Sequence, residues 1–111
     1  MASPIFELKT KADAGFHFEF FASGGEKLLL SAGFSSKEDA EKAIQEVRVG
    51  SMMSEMIAVG AGPNGSKFFV IKNQAGDVLV KSILFESEMI FNNALHSVRD
   101  NACVAEIKDN T

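Results

Sequence analysis

The sequence predicts an α+β domain in which two tandem βββα(β) repeats form one predominantly antiparallel sheet. Two helices lie on one face, and the repeats are able to swap their terminal strands. Three observations lead there. The second half, shifted back by 51 residues, overlays the first without a gap. Phe69 falls on Phe18, Gly76 on Gly25, Leu79 on Leu28, Ser82 on Ser31 and Phe85 on Phe34; Ser87 falls on Ser36, Ala94 on Ala43, and Val98-Arg99 on Val47-Arg48. Short runs alternate apolar and polar residues with a period of two, and each half closes on a capped segment with helical spacing. Self-similarity at a fixed period sets the architecture before any single residue is interpreted.

In the first repeat, residues 5–51, Phe6 and Leu8 alternate with Glu7 and Lys9 and give the first strand. Ala12, Asp13, Ala14 and Gly15 read as a loop. Phe16, Phe18 and Phe20 alternate with His17, Glu19 and Phe21 in a second strand. Ser23-Gly24-Gly25 turns the chain, and Lys27 to Phe34 returns as a third. With Gly25 in the left-handed position of a three-residue loop, Phe20 faces Leu28 and Phe18 faces Leu30, a register that keeps one face apolar. The helix opens at Ser35-Ser36-Lys37-Glu38, a capping-box spelling. Ala40, Ala43, Ile44 and Val47 follow at helical spacing, and Gly50 ends it as a C-cap.

The second repeat, residues 52–111, copies this order. Its helix opens at Ser87 and carries Phe91, Ala94, Leu95 and Val98 at the same offsets, with Asn101 in the place of Gly50. Residues 52–59 form the joint. Ile57 and Val59 align with Phe6 and Leu8, while Met53 and Met56 align with Val104 and Ile107. One shared strand therefore closes the first repeat and opens the second. A lone strand from Cys103 to Lys108 ends the chain.

Composition limits the function classes. The chain of 111 residues is 46% apolar and 23% charged, with ten Phe and no Trp or Tyr. Its aromatic content is pure hydrocarbon, suited to a core more than to recognition. Net charge is −4, and each half carries −2. A nucleic-acid binder needs a cationic surface to displace counterions, so neither nucleic acid nor an anionic membrane is an expected partner. A single cysteine, Cys103, forms no internal disulfide. No apolar run approaches the ~20 residues of a membrane-spanning helix, and Met1 to Lys9 lacks the pattern of a signal peptide. The expected location is the cytoplasm.

Gly25-Glu26-Lys27-Leu28 through Ser31, Phe34-Ser35-Ser36, Ala43-Ile44 and Val47-Arg48 resemble the YegP-like family of small tandem-repeat proteins. The second half repeats the pattern as Gly76-Asp77-Val78-Leu79, Ser82, Phe85-Glu86-Ser87, Ala94-Leu95 and Ser97-Val98-Arg99, and Lys108-Asp109-Asn110-Thr111 is similar to the family's C-terminus. The resemblance covers essentially the whole chain. It implies a β(3)-α-β unit used twice in one sheet with exchanged last strands, and it carries over no catalytic residue. Where the family usually has Tyr, this chain has Phe34 and Phe85, so no role of that hydroxyl carries over.

The candidate chemistry is sparse. His17 and His96 occupy non-equivalent positions, and a metal site needs three or four clustered ligands, so no metal is expected. Cys103 with a distant His could form a nucleophile pair, but a lone strand cysteine reads first as a small buried hydrophobe. Pro63-Asn64-Gly65 lacks the Lys-Ser/Thr of a phosphate loop and reads as a hairpin loop. No catalytic residue and no cofactor are predicted. Arg48 and Arg99 share one repeat position, where a cation meets the helix C-terminal dipole; the functional alternative is a symmetric pair of anion or partner contacts. Ser31 and Ser82 are repeated mid-strand and read as structural.

One anomaly points to function. In the first half the core face is Phe6, Leu8, Phe18, Phe20, Leu28 and Leu30, and the opposite face mixes Glu7, Lys9, His17, Glu19, Phe21, Lys27 and Leu29. In the second half the core face is Ile57, Val59, Phe69, Ile71, Leu79 and Ile83, yet the opposite face is Phe68, Val70, Val78, Val80 and Leu84. With both helices on one side, nothing in the chain covers this apolar set, and large exposed patches mark binding sites. The expected function is a non-enzymatic interaction module that uses this face for homodimerisation or for a protein partner. The alternative is a small-molecule binder or enzyme with its site on the same face.

Overall fold

Alternation of apolar and polar residues becomes strand wherever the chain can bury one face. The computed structural model describes residues 4–10, 15–22 and 24–111 and contains β1 (Ile5–Thr10), β2 (Phe16–Phe21), β3 (Lys27–Ser31), α1 (Lys37–Gly50), β4 (Ile57–Ala61), β5 (Lys67–Lys72), β6 (Val78–Ser82), α2 (Glu88–Asn101) and β7 (Glu106–Asn110). The seven strands form one sheet in the order β4-β5-β6-β3-β2-β1-β7. Every pairing is antiparallel except β1 with β7. This is the α+β class that the pattern predicts. Positions 12–14 of the first expected loop, and position 23 of the first turn, lie outside the described residues.

Each hairpin turns on a glycine with positive φ, 87° at Gly25 and 89° at Gly76, a conformation that costs glycine no Cβ clash. Backbone bonds Ala22 N–H to Glu26 O and Asn73 N–H to Asp77 O close the two three-residue loops. A bulge follows that alternation does not reveal. Phe20 pairs with Leu29 and Phe21 with Lys27, so Leu28 is the extra residue. The second hairpin slips likewise: Ile71 pairs with Val80 and Lys72 with Val78. The predicted pairing of Phe20 with Leu28 and Phe18 with Leu30 is therefore corrected. Leu28 and Leu29 are both buried while Leu30 is 46% exposed, and in the second copy Leu79 and Val80 are both buried. Two further expected core residues, Val59 and Ile83, are exposed.

Ser31 and Ser82 have the structural role that their position implies. The Ser31 hydroxyl accepts from Phe18 N–H at 2.8 Å and donates to Ala32 O, and Ser82 accepts from Phe69 N–H at 2.9 Å and donates to Ile83 O. Each replaces a strand carbonyl where pairing stops. The chain rejoins at the bridges Phe16–Phe34 and Lys67–Phe85, which stack Phe34 on Phe18 and Phe85 on Phe69 with rings 7° and 8° from parallel.

The second helix starts at Ser87 as the sequence predicts, while in the first Ser36 alone is the cap and the Ser35–Glu38 capping box does not form. Ser36 accepts from Asp39 N–H and Ser87 from Ile90 N–H, satisfying donors that a helix leaves open. The ends differ from expectation. Gly50 is still helical and is followed by Ser51 at φ −65°, while Asn101 has φ −111°, so neither is a left-handed cap. Gly50 has another reason to lack a side chain: a Cβ there would lie 2.9 Å from Ile71 Cγ2. The joint is also shorter than predicted. Residues 54–56 form a 3-10 turn, and the strand begins only at Ile57. Cys103 sits in the turn Ala102–Val104 and is exposed, so the final strand starts at Glu106.

α1 lies across β1, β2, β5 and β6, and α2 lies over β5. Between helices and sheet, Phe6, Leu8, Phe18, Phe20, Leu29, Ile44, Val47, Phe69 and Ile71 are wholly inaccessible. The bulge makes a direct prediction. Leu29→Ala should lower unfolding free energy by about 2–4 kcal/mol, and Leu30→Ala by less than about 1 kcal/mol, in urea titrations of both variants. The reverse order would restore the unbulged register.

Candidate functional site: the open face of the sheet

With α1 and α2 on one side, the other side is built from alternate strand residues and the pairs between them. Strand register lays Ala58, Val70, Lys81, Leu30, Glu19, Glu7 and Lys108 in one row across all seven strands. Positions 51 apart on this face differ in chemistry. Lys9, Glu19 and Lys27 of the first half correspond to Gly60, Val70 and Val78 of the second, and His17 corresponds to Phe68.

The first half is held by charge. Lys9 Nζ donates to Glu19 Oε1 at 2.6 Å and Lys27 Nζ to Glu19 Oε2 at 3.1 Å, while Lys9 also lies 3.3 Å from Glu7. Glu19 is buried under these lysines at 6% exposure. Burial would raise its carboxyl, but the two ammonium groups outweigh it and hold the pKa below the ordinary value. The hydrogen bond to Glu19 in turn raises Lys9. His17, next on β2, has a buried Nδ1 without a hydrogen-bond partner among the described residues.

The second half is mostly apolar, with Lys81 laid on it and Lys72 paired beside Val78. The Phe68 ring lies against Gly60 of β4, so close that a Cβ there would fall 2.3 Å from the ring. Lys81 Nζ stands 4.5 Å from the ring centroid, a cation–π distance. Phe68 and Val70 are half-buried, and Val78 is 46% exposed. Val80, predicted on this face, is turned into the core by the bulge and is 1% exposed. Leu84 is exposed but lies past the end of β6, where it lines a crevice with Ile83 and Ile90. Leu30 and Lys81 belong to the face and were missed, because in Leu28-Leu29-Leu30 and Val78-Leu79-Val80 an apolar run hides where alternation restarts.

Two crevices lie elsewhere. One of about 510 Å³ runs between α1 and the β5–β6 turn, lined by Lys42, Glu46, Val49, Met53, Met56 and Asn73 among others. The other, of about 410 Å³, lies beside α2. Neither is lined by Phe68 or Val70. Among the described residues no cluster of three His, Cys, Asp or Glu is placed to hold a metal; His96, on α2, is exposed 3.1 Å from Asp100. Among the described residues no helix is long and apolar enough to cross a membrane.

The two repeated arginines are not equivalent. Arg48 reaches from α1 to the carbonyl of Ala105, bonds Gln45 Oε1 at 3.1 Å and sits 6.0 Å from the Phe6 ring centroid. It ties α1 to the start of β7. Arg99 is exposed. The far end of β7 is tied by Lys37 to Asp109; that hydrogen bond, with two more from the hydroxyl and amide of Thr111, holds the Asp109 carboxyl down at about 2.

No family model matches the sequence. Individual proteins do. The chain is 31% identical over 106 residues to a protein of Escherichia coli called UPF0339 protein YegP, covering 96% of each. It is 32% identical over 104 residues to a UPF0339 protein of Pseudomonas aeruginosa, covering 94% of each. Two solution NMR structures superpose on it with a TM-score of 0.91. One is a UPF0339 protein of Shewanella oneidensis at 26% identity, covering 96% of this chain and 91% of that one. The other is yegP of E. coli, described as of unknown function, at 30% identity, covering 100% and 96%.

The Glu19 cluster yields a pH prediction. A depressed carboxylate stabilises the fold above its unfolded value near 4.5, and that contribution is lost as pH falls through the lower folded value. Glu19→Gln should cost about 1–2 kcal/mol at neutral pH, and the gap from wild type should close on acidification below 4.5 in urea unfolding. A gap that stays constant down to full protonation would mean that the ion pairs contribute nothing.

Proposed function

We propose, from the premise that this chain belongs to the UPF0339 (YegP-like) family, that it is a non-enzymatic interaction module whose open sheet face binds another protein, a second copy of itself being the first candidate. One observation carries this reading. The ion cluster Lys9–Glu19–Lys27 is replaced at the matching positions by Gly60, Val70 and Val78, so one half of an uncovered face is apolar as a set. Leu30, at the centre of the sheet, extends that set and is half exposed. Two half-exposed lysines satisfy Glu19 in the first half, whereas the apolar positions of the second half gain from being covered.

Lys81 does not argue against an interface. Its ammonium rests on the Phe68 ring and its carbon stem lies along the face, so it can keep its charge at the rim while the stem is covered.

Native mass spectrometry and sedimentation test this. Wild type should dimerise, and Leu30→Glu and Phe68→Glu should each shift it at least tenfold towards monomer, the effect of about 1.4 kcal/mol, while circular dichroism stays unchanged. Met89→Glu, on the exposed surface of α2, should leave the assembly intact. A wild type that stays monomeric at high concentration, or face variants that keep its oligomeric state, would overturn self-association through this face.

A further inference from the structure

β7 lies parallel on the outer edge of β1, with Ile107 opposite Phe6 and Asp109 opposite Leu8. Three contacts hold it. Arg48 donates to the carbonyl of Ala105 just before the strand, Ile107 packs against the core, and Lys37 pairs with Asp109. Beneath it Phe6 and Leu8 are inaccessible.

Fifty-one residues on, the same apparatus stands without its strand. Ile57 and Val59 of β4 take the places of Phe6 and Leu8, and Arg99 takes that of Arg48. Among the described residues no strand pairs with the outer edge of β4 and no acceptor lies on Arg99. Val59 is 59% exposed where Leu8 is inaccessible. The two edges of the sheet are also dressed differently. β7 carries Glu106, Lys108 and Asp109, charges that discourage further pairing, whereas β4 reads Ile-Ala-Val-Gly-Ala with neither charge nor proline.

We propose that the outer edge of β4 is a second strand-binding slot, which takes an extended segment of another polypeptide in parallel, with an aliphatic residue opposite Ile57 and a basic residue opposite Val59. The basic preference comes from Glu88, which stands where Lys37 stands in the first half. Where Lys37 meets Asp109, Glu88 would meet a cation; its Oε1 has only an exposed contact with Lys67, at 3.5 Å. The occupant is not β7 of a second copy. Each chain has two slots and one such strand, so a β7 lent to a neighbour empties the edge of its own β1. Strand addition gives affinity through main-chain bonds and selects through alternate side chains. The slot is at the edge of the sheet and does not depend on how the open face is used.

Two peptides spanning residues 102–111 with C103S, one of them also carrying D109K, serve as probes against the ¹⁵N-labelled full chain. The D109K peptide should shift the amides of Ile57 to Ala61 and bind roughly threefold more tightly than the Asp109 peptide, a typical effect of one exposed ion pair. Glu88→Lys in the protein should reverse that preference, and Arg99→Ala should weaken both peptides. Absence of shifts on β4 would overturn the proposal, as would shifts confined to β1 and β7 or a preference indifferent to Glu88→Lys. Pairing of β4 with β4 of a second copy, seen as intermolecular nuclear Overhauser contacts between the two β4 strands, would overturn it too.

Discussion

In both hairpins an extra residue follows the left-handed glycine, and most other contacts depend on the slip it makes. Without the bulge a strand sends alternate side chains inward. With it, Leu28 and Leu29 both point towards the helices, as do Leu79 and Val80. The next residues, Leu30 and Lys81, then fall on the open face and pair with each other across the middle of the sheet. One residue further, Ser31 and Ser82 reach the point where pairing ends, and their hydroxyls take the amides of Phe18 and Phe69. Because a one-residue change of register exchanges the two faces of a strand, this slip decides the core, the join between the halves and the exposed surface together.

The join explains why neither half can be described alone. β3 and β6 meet through three residue pairs, Leu29–Ser82, Leu30–Lys81 and Ser31–Val80. So short a contact is sufficient because α1 crosses it, lying on β1 and β2 of its own half and on β5 and β6 of the other. Gly50 allows that crossing to be close, since its missing Cβ leaves room for Ile71. The same demand explains the ring stacks. Phe34 and Phe85 re-enter the sheet just after the serines and cover Phe18 and Phe69 as the chain leaves for the helices.

Much of this was legible in the residues, and the gaps have physical causes. Strands and helix starts could be read because alternation and Ser36 or Ser87 express local preferences. The bulge could not, because three apolar residues in a row, Leu28-Leu29-Leu30, satisfy either register equally. Gly50 was misread because a glycine ending a helix normally supplies a left-handed turn, whereas here it makes room for a neighbour 21 residues away in sequence. Cys103 was placed in a strand because its neighbours are apolar, but the 3-10 turn over Ala102–Val104 holds it out in solvent. Of the open face, Phe68, Val70 and Val78 were identified; Val80 was lost and Leu30 and Lys81 were missed for the same reason, the unseen slip.

Arg48 and Arg99 show why a shared sequence position does not imply a shared role. Both follow the last buried valine of a helix, and both can interact favourably with its C-terminal dipole. Only Arg48 has a carbonyl at the mouth of a strand within reach, because β7 runs along β1 and nothing described runs along β4. The difference therefore lies in the topology. Two similar halves leave two edges, and a single final strand can close only one of them. Residue by residue the first edge is finished: Phe6 and Leu8 are sealed, Arg48 is engaged, and β7 presents charges outward. At the second, Val59 and Arg99 remain exposed beside an uncharged strand, so the molecule presents two unlike edges and a face that is ionic on one half and mostly apolar on the other.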